Sequence, residues 1–341
     1  MRVWRKGNNM KLHGIKQFFC SSLLLVCMTQ AMASKTVTWC IYDAAGHSGS
    51  VMQIMKDYSL FAKKWGVHHT LKVFSNEEKA LAEFKNKQCD GIAASSFLTR
   101  EYNHFLGTTG AIGLIPDNQT AHQVFAALGE PSLSKHMVQN GYEAVGWIPI
   151  GSAYFMVKDR NINSITHLAG LRIAILREDP SHERMARRVG ATPVFVTFSN
   201  AASKLIKGEV DVLPAPIYAY RPFELQRGIG IYGGVINFPM SYMSLNLIVR
   251  QEAIPKNYGQ HSRNWFMALT PRMMQNVFRW EQSMPKKYWY DIPTSERQSY
   301  QRLLTQLRRE FIGTRVYNHD FIKLVLEKQC DIDAQYFECK K

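Results

Sequence analysis

The stretch from Leu168 to Asp211, LAGLRIAILREDPSHERMARRVGATPVFVTFSNAASKLIKGEVD, decides the fold. Gly170 to Leu176 is apolar and rich in β formers, so it reads as a strand. Ser181 to Val189 follows as a helix stopped by Gly190, and Pro193 to Phe198 is a second strand. Asn200 caps a helix that ends at Gly208, and Val210 to Leu213 is a third strand. Strands and helices alternating at this spacing form one unit of a parallel sheet.

The same series stands earlier in the chain. Thr36 to Tyr42 is a strand, and Asp43 to Ser50 is a loop that opens a helix running to about Lys64 and closed by Gly66. His69 to Phe74 is the next strand. Asn76 caps a helix over Glu77 to Lys87, and Cys89 to Ser95 is the third strand. Phe74-Ser75-Asn76 and Phe198-Ser199-Asn200 hold the same place in the two copies, as do Cys89-Asp90 and Val210-Asp211. The fold class is therefore α/β with two similar lobes. Thr109 to Ile115 and Ala144 to Met156 read as strands carrying the chain across, and Ile231 to Val249 as strands returning. Trp265 to Glu327 is mostly helical, and within Thr294 to Phe311 an apolar stripe of Tyr300, Leu303, Leu304, Leu307 and Phe311 shares one face. The domain reading is 1–33 as a leader, 34–115 as the first part of lobe 1, 116–156 as the crossover region and 157–230 as lobe 2. Residues 231–341 then supply the return strands and a helical segment packing on lobe 1.

Residues 1–33 read as a secretory signal peptide cleaved after Ala33. Arg2, Arg5, Lys6, Lys11 and Lys16 precede the apolar run Phe18 to Met28, and Ala31-Met32-Ala33 is a small-x-small site. A lipoprotein anchored through Cys27 is the alternative, although Val26 is large for the position before a lipidated cysteine. Export to the periplasm follows. The chain of 341 residues carries a net charge of +15, and the leader holds five of those charges, leaving +10 on 308 residues. Between Arg263 and Arg315 ten Lys and Arg face four acids, spread along amphipathic patterns. That spread reads as a solvated face rather than a nucleic-acid site. Four cysteines remain after cleavage. Cys330 and Cys339 close a short loop, which leaves Cys40 to pair with Cys89, and both pairs are expected as disulfides. No Cys-x-x-Cys or His-x-x-x-His spacing supports a metal, and no cofactor fingerprint is present.

Two α/β lobes joined by crossing strands resemble a type II periplasmic-binding-protein fold. Leu168-Ala169-Gly170-Leu171-Arg172-Ile173, Val189-Gly190-Ala191-Thr192-Pro193-Val194 and Lys207-Gly208-Glu209-Val210-Asp211 resemble the pattern of TRAP-transporter (DctP-like) substrate-binding subunits. The Trp39-Cys40 start and the cysteine-containing tail resemble an AdeT-like branch of solute-binding proteins associated with efflux and aminoglycoside resistance. The resemblance implies a receptor that closes on a small solute and hands it to an inner-membrane transporter. The arginine that clamps a substrate carboxylate in TRAP subunits falls on Ala174, and Asp211 is followed by Val212 where that family has glycine.

Ligands of such sheets bind at the carboxyl ends of strands. The candidate site residues follow from that rule. Asp43 and Ser48 lie in the first loop, whose amides at a helix N-terminus favour an anion. Ser95, Ser96 and Arg100 follow the third strand. Arg177 and Glu178 follow the first strand of lobe 2, and Tyr218 its last. Tyr154, Tyr242 and Met243 lie on the crossing strands, as a cleft floor. Arg100 and Arg177 from opposite lobes would grip an anionic or amphipathic solute. An exported hydrolase using Ser48 is the rival reading, because Gly46-His47-Ser48-Gly49 nearly forms a nucleophile elbow but has Ser50 in place of glycine. An envelope factor that retains the binding-protein fold is the third.

Overall fold

A computed structural model describes residues 35–339. The leader expected over 1–33 lies outside them. β1 (Lys35–Tyr42), α1 (Ser50–Ala62), β2 (Val67–Phe74), α2 (Glu77–Lys85) and β3 (Gly91–Ser95) form the first unit, and α3 (Ser96–Thr99) extends it. α4 (Asn118–Ala127), β4 (Val138–Gln139) and the long β5 (Tyr142–Val157) lead to the second unit. That unit is β6 (Arg172–Leu176), α5 (Pro180–Arg188), β7 (Thr192–Val196), α6 (Ala201–Ile206) and β8 (Val212–Pro216). α7 (Leu225–Ile229), β9 (Gly234–Arg250), α8 (Tyr258–Ser283), β10 (Trp289–Tyr290), α9 (Thr294–Phe311) and α10 (His319–Ile332) complete the chain.

The strands run in the order β2-β1-β3-β9-β5-β8-β6-β7. Each unit places its first strand in the middle and pairs it in parallel with the other two, so the repeat read in the sequence is a repeat in space. β5 and β9 lie antiparallel at the centre and belong to both halves. β9 pairs with β3 through Leu245–Val249, and β5 pairs with β8 through Ala153–Val157. The β5–β9 ladder shifts register four times, and such irregularities bend a strand pair where it passes from one half to the other. The buried apolar side chains fall into two clusters. One gathers Met156, Leu205, Leu213 and Leu225 in the second half, and the larger surrounds Trp39, Tyr58, Trp147 and Phe266 in the first.

Local chemistry explains the boundaries. Gly66 takes a left-handed backbone (φ 75) that ends the helical run after Trp65. The Asn76 side chain accepts from Lys79 N–H at 2.8 Å and starts α2. Two expectations are corrected. Thr109 to Ile115 is not a strand but a series of turns, with Ala111 N–H donating to Thr108 and Leu114 N–H to Ala111. Its Ile112, Leu114 and Ile115 are fully buried, which gives the run a strand's composition, but Gly113 needs φ +60 and breaks extension. Asn200 does not cap α6 through its side chain; its Oδ1 instead accepts from Thr197 N–H at 3.0 Å, closing the turn before the helix. Both expected disulfides are present, Cys40–Cys89 and Cys330–Cys339, each with Cα atoms 5.7 Å apart.

Candidate functional site

The carboxyl ends of β1, β3, β6 and β8 converge on one cavity. Tyr42 and Phe97 reach it from the first half, and Leu176, Phe198, Leu213 and Tyr218 from the second. Met243 and Ser241 of β9, with Ile150 and Ala153 of β5, form its floor. This is the place the strand-end rule assigns to a ligand.

Two side-chain bridges join the halves beside the cavity. At one, the Tyr218 hydroxyl donates to Asp43 Oδ1 at 2.8 Å and accepts from Ala44 N–H at 3.1 Å. Asp43 is fully buried, and its Oδ2 accepts from Met52 N–H, 2.9 Å away in the first turn of α1. The sequence pointed to this helix start as an anion site, and its anion is the chain's own carboxylate. Gly49 makes that possible, because a Cβ there would lie 1.9 Å from Asp43 Oδ1. At the other bridge, Arg100 donates to Asp179 at 2.9 Å, to the Glu178 carbonyl at 3.2 Å and, through Nε, to the Gly107 carbonyl at 3.1 Å. Asp179 also accepts from Ser181 and from the Tyr317 hydroxyl. Burial alone would raise the Asp179 carboxyl. Attraction to His182 and to the Arg100 guanidinium, with the hydrogen bonds from Ser181 and Arg100, outweighs it and holds the group below its ordinary range.

The other expected site residues go elsewhere. Ser48 is exposed, and its hydroxyl donates to the Ala45 carbonyl at 3.1 Å. Arg177 is exposed with its guanidinium 4.6 Å over the Phe195 ring, so it does not converge with Arg100 on one anion. Glu178 offers Arg100 its carbonyl and borders an open groove outside the bridge. Ser95 is buried and caps α3 through Leu98 N–H at 3.4 Å, while the Ser96 hydroxyl is buried without a partner. Tyr154 and Tyr242 lie on the face of the sheet covered by α8. Tyr154 donates to Glu281 at 3.1 Å and Tyr242 to Asn118 at 3.2 Å. Their neighbours Ala153, Ser241 and Met243 face the cavity instead, as a strand's period of two requires. Burial, followed by the Tyr154 and Asn118 hydrogen bonds that oppose it, leaves the Glu281 carboxyl raised.

The sequence reading missed His182, Phe97, Phe198 and Leu213 as cavity walls. Phe97 and Phe198 stand next to polar residues that open the following helices, and that polar signal masks the rings in the sequence. His182 packs edge-on to Phe97 at 5.6 Å, and burial holds its imidazole below the ordinary value, against the pull of Asp179. Glu77, at the start of α2, is buried under the end of β3 and accepts from Ser95 N–H, while its Oε2 has no partner. Burial pushes its carboxyl up to about 8, against the lowering hydrogen bonds from Ser95. A raised acid favours folding while protonated, so this contribution is whole below the ordinary value of 4.5 and is lost as pH rises through about 8. Melts at pH 5 and pH 9 should therefore show Glu77→Gln gaining on the parent at the higher pH. An equal gap at both would refute the raised carboxyl. Among the described residues, no group of three or more His, Cys, Asp or Glu converges as a metal site.

A bent two-lobed α/β sheet that bridges its lobes beside one strand-end cavity is the architecture of a solute-binding protein. The chain belongs to the family described as Solute-binding protein AdeT 1/2, whose pattern matches residues 59–341. It is 33% identical over 299 residues to the probable solute-binding protein AdeT1 of Acinetobacter baumannii, covering 88% of this chain and 98% of the relative. It is 36% identical over 234 residues to AdeT2 of the same organism, covering 69% and 98%. Among solved structures it superposes on a TRAP periplasmic solute-binding protein of Ralstonia eutropha holding (S)-2-acetolactate, with a TM-score of 0.70, 11% identity and coverage of 87% and 99%. A Desulfovibrio salexigens protein of the same kind, holding orotic acid, matches with a TM-score of 0.70, 14% identity and the same coverage. A Shewanella oneidensis protein holding succinate gives 0.68, 15% and again 87% and 99%.

Proposed function

We propose that this chain is an exported receptor that closes its lobes over a small solute and presents the closed form to a carrier in the inner membrane. The observation that supports it is the pair of bridges, Asp43–Tyr218 and Arg100–Asp179, which tie opposite halves together around one cavity. Contacts between the halves hold them together, so a solute that fills the cavity would shift the population toward this closed state. The lobes divide within β5 and β9, with 34–115 and most of 231–341 on one side, 157–230 on the other and 116–156 between. The basic leader at 1–33 supports a periplasmic address. No helix among the described residues is long and apolar enough to cross a membrane.

Function by binding rather than turnover is supported at Ser48, which is exposed and hydrogen-bonded to a carbonyl rather than to a histidine. An acidic solute, of the kind the three structural neighbours hold, would have to draw Arg100 away from Asp179. The test is a thermal-shift screen on protein without the leader. A ligand at one hundred times its dissociation constant adds about 2.7 kcal/mol to stability, a shift of several degrees. The reading stands if one solute class gives that shift together with a smaller radius of gyration in solution scattering. A screen across acids, bases, neutral aromatics and sugars without any hit would sink it.

A further inference from the structure

We infer that the solute of this receptor is uncharged and carries an apolar, ring-bearing body. The inference rests on the receptor reading above and deepens it. No Lys, Arg, Asp or Glu side chain lines the cavity. Its walls bring three rings together from both lobes, with Tyr42 and Phe198 at 6.5 Å and Phe97 and Phe198 at 6.3 Å, and Leu176, Leu213 and Met243 fill the space between them. Flat apolar bodies gain both burial and ring contacts in such a corner.

The charges just behind the walls exclude the alternatives. Arg100, the cation beside the cavity, is already neutralised by a buried carboxylate. The Asp43 carboxylate accepts from N–H and O–H groups and, among the described residues, from no cationic side chain. An entering carboxylate would lose its water and meet no free positive charge. A polycation fares no better, because Asp43 and Asp179 spend their oxygens on the protein's own donors. The polar side chains that line the cavity outside the Tyr218 bridge are His182, whose imidazole burial keeps toward its neutral form, Ser241 and Tyr42. These suit one hydroxyl or carbonyl on an otherwise apolar solute.

The test uses the full chain without its leader. N-phenyl-1-naphthylamine, a neutral fluorescent probe, should brighten on binding, and 1-naphthol should displace it and raise the melting temperature. The charged match 1-naphthoate should bind at least tenfold more weakly, and succinate and spermidine should give no shift. Ala174→Leu fills the wall and should weaken the probe at least tenfold with an unchanged circular dichroism spectrum. Ala215→Val is the milder filling variant should Ala174→Leu fail to fold. If 1-naphthoate or succinate binds more tightly than 1-naphthol, the class is wrong while the receptor reading survives. If the probe binds both filling variants as it binds the parent, it sits elsewhere and the inference falls. If no solute of any class binds, the receptor reading falls with it.

Discussion

Arg100→Ala should lower folding stability by about 3–5 kcal/mol, because it leaves a carboxylate buried without its counter-charge. The guanidinium is 8% exposed and Asp179 is not exposed at all, so water cannot replace the lost partner. Ser181 and Tyr317 would still donate to Asp179, which keeps the loss from being larger. Arg100→Lys should recover only part, since one ammonium cannot reach Asp179, the Glu178 carbonyl and the Gly107 carbonyl together. The sign with pH is fixed by the lowered Asp179 carboxyl. The pair's contribution is present above the ordinary carboxylate range and is lost as pH falls through the folded value. Urea melts should show the Arg100→Ala deficit shrinking toward acid, and a deficit that is constant with pH would refute the ion pair as its source. Because the two residues come from opposite lobes, scattering should also show an expanded variant without solute.

Removing the Cys40–Cys89 bridge by a double alanine substitution should cost about 4 kcal/mol, and removing Cys330–Cys339 about 3 kcal/mol, from loop-closure entropy. The difference comes from sequence separations of 49 and 9 residues. Burial sharpens the contrast. Cys40 and Cys89 are 0% and 1% exposed between β1 and β3, whereas Cys330 and Cys339 are partly exposed at the end of the chain. Mild reductant should therefore open the tail bridge first, with a small drop in melting temperature, and reach the inner bridge only near unfolding. Peptide mapping that found the inner pair reduced first would contradict this placement.

The two β-α-β-α-β units, their order and both disulfides were legible in the sequence, because each depends on local periodicity, caps and spacing. The run Thr109 to Ile115 was not, since composition reports burial and cannot tell a buried strand from buried turns. The cavity was legible as a location but not as chemistry. Strand ends named Arg100, Asp43 and Tyr218, yet nothing local shows that Arg100 is held by Asp179, 79 positions away. Nor does it show that Asp43 folds back onto Met52. Tyr154 and Tyr242 were assigned to the wrong face of the sheet for the same reason. A strand's alternation is visible in sequence, but which parity faces the ligand is set by where α8 packs.

The ladder between β3 and β9 has a bearing on how the molecule is made. A nascent chain emits β1, β2 and β3 early, and these settle beside one another from local contacts. The open side of β3 then waits for Leu245 to Val249, more than 140 residues later. Until they arrive, a row of unpaired backbone groups on an apolar strand is available to any passing chain. The second unit lies inside that interval and can fold at once from contacts of short range. The lobe translated first is thus the last to be finished, and the hazard of mispairing peaks midway through synthesis rather than at its end.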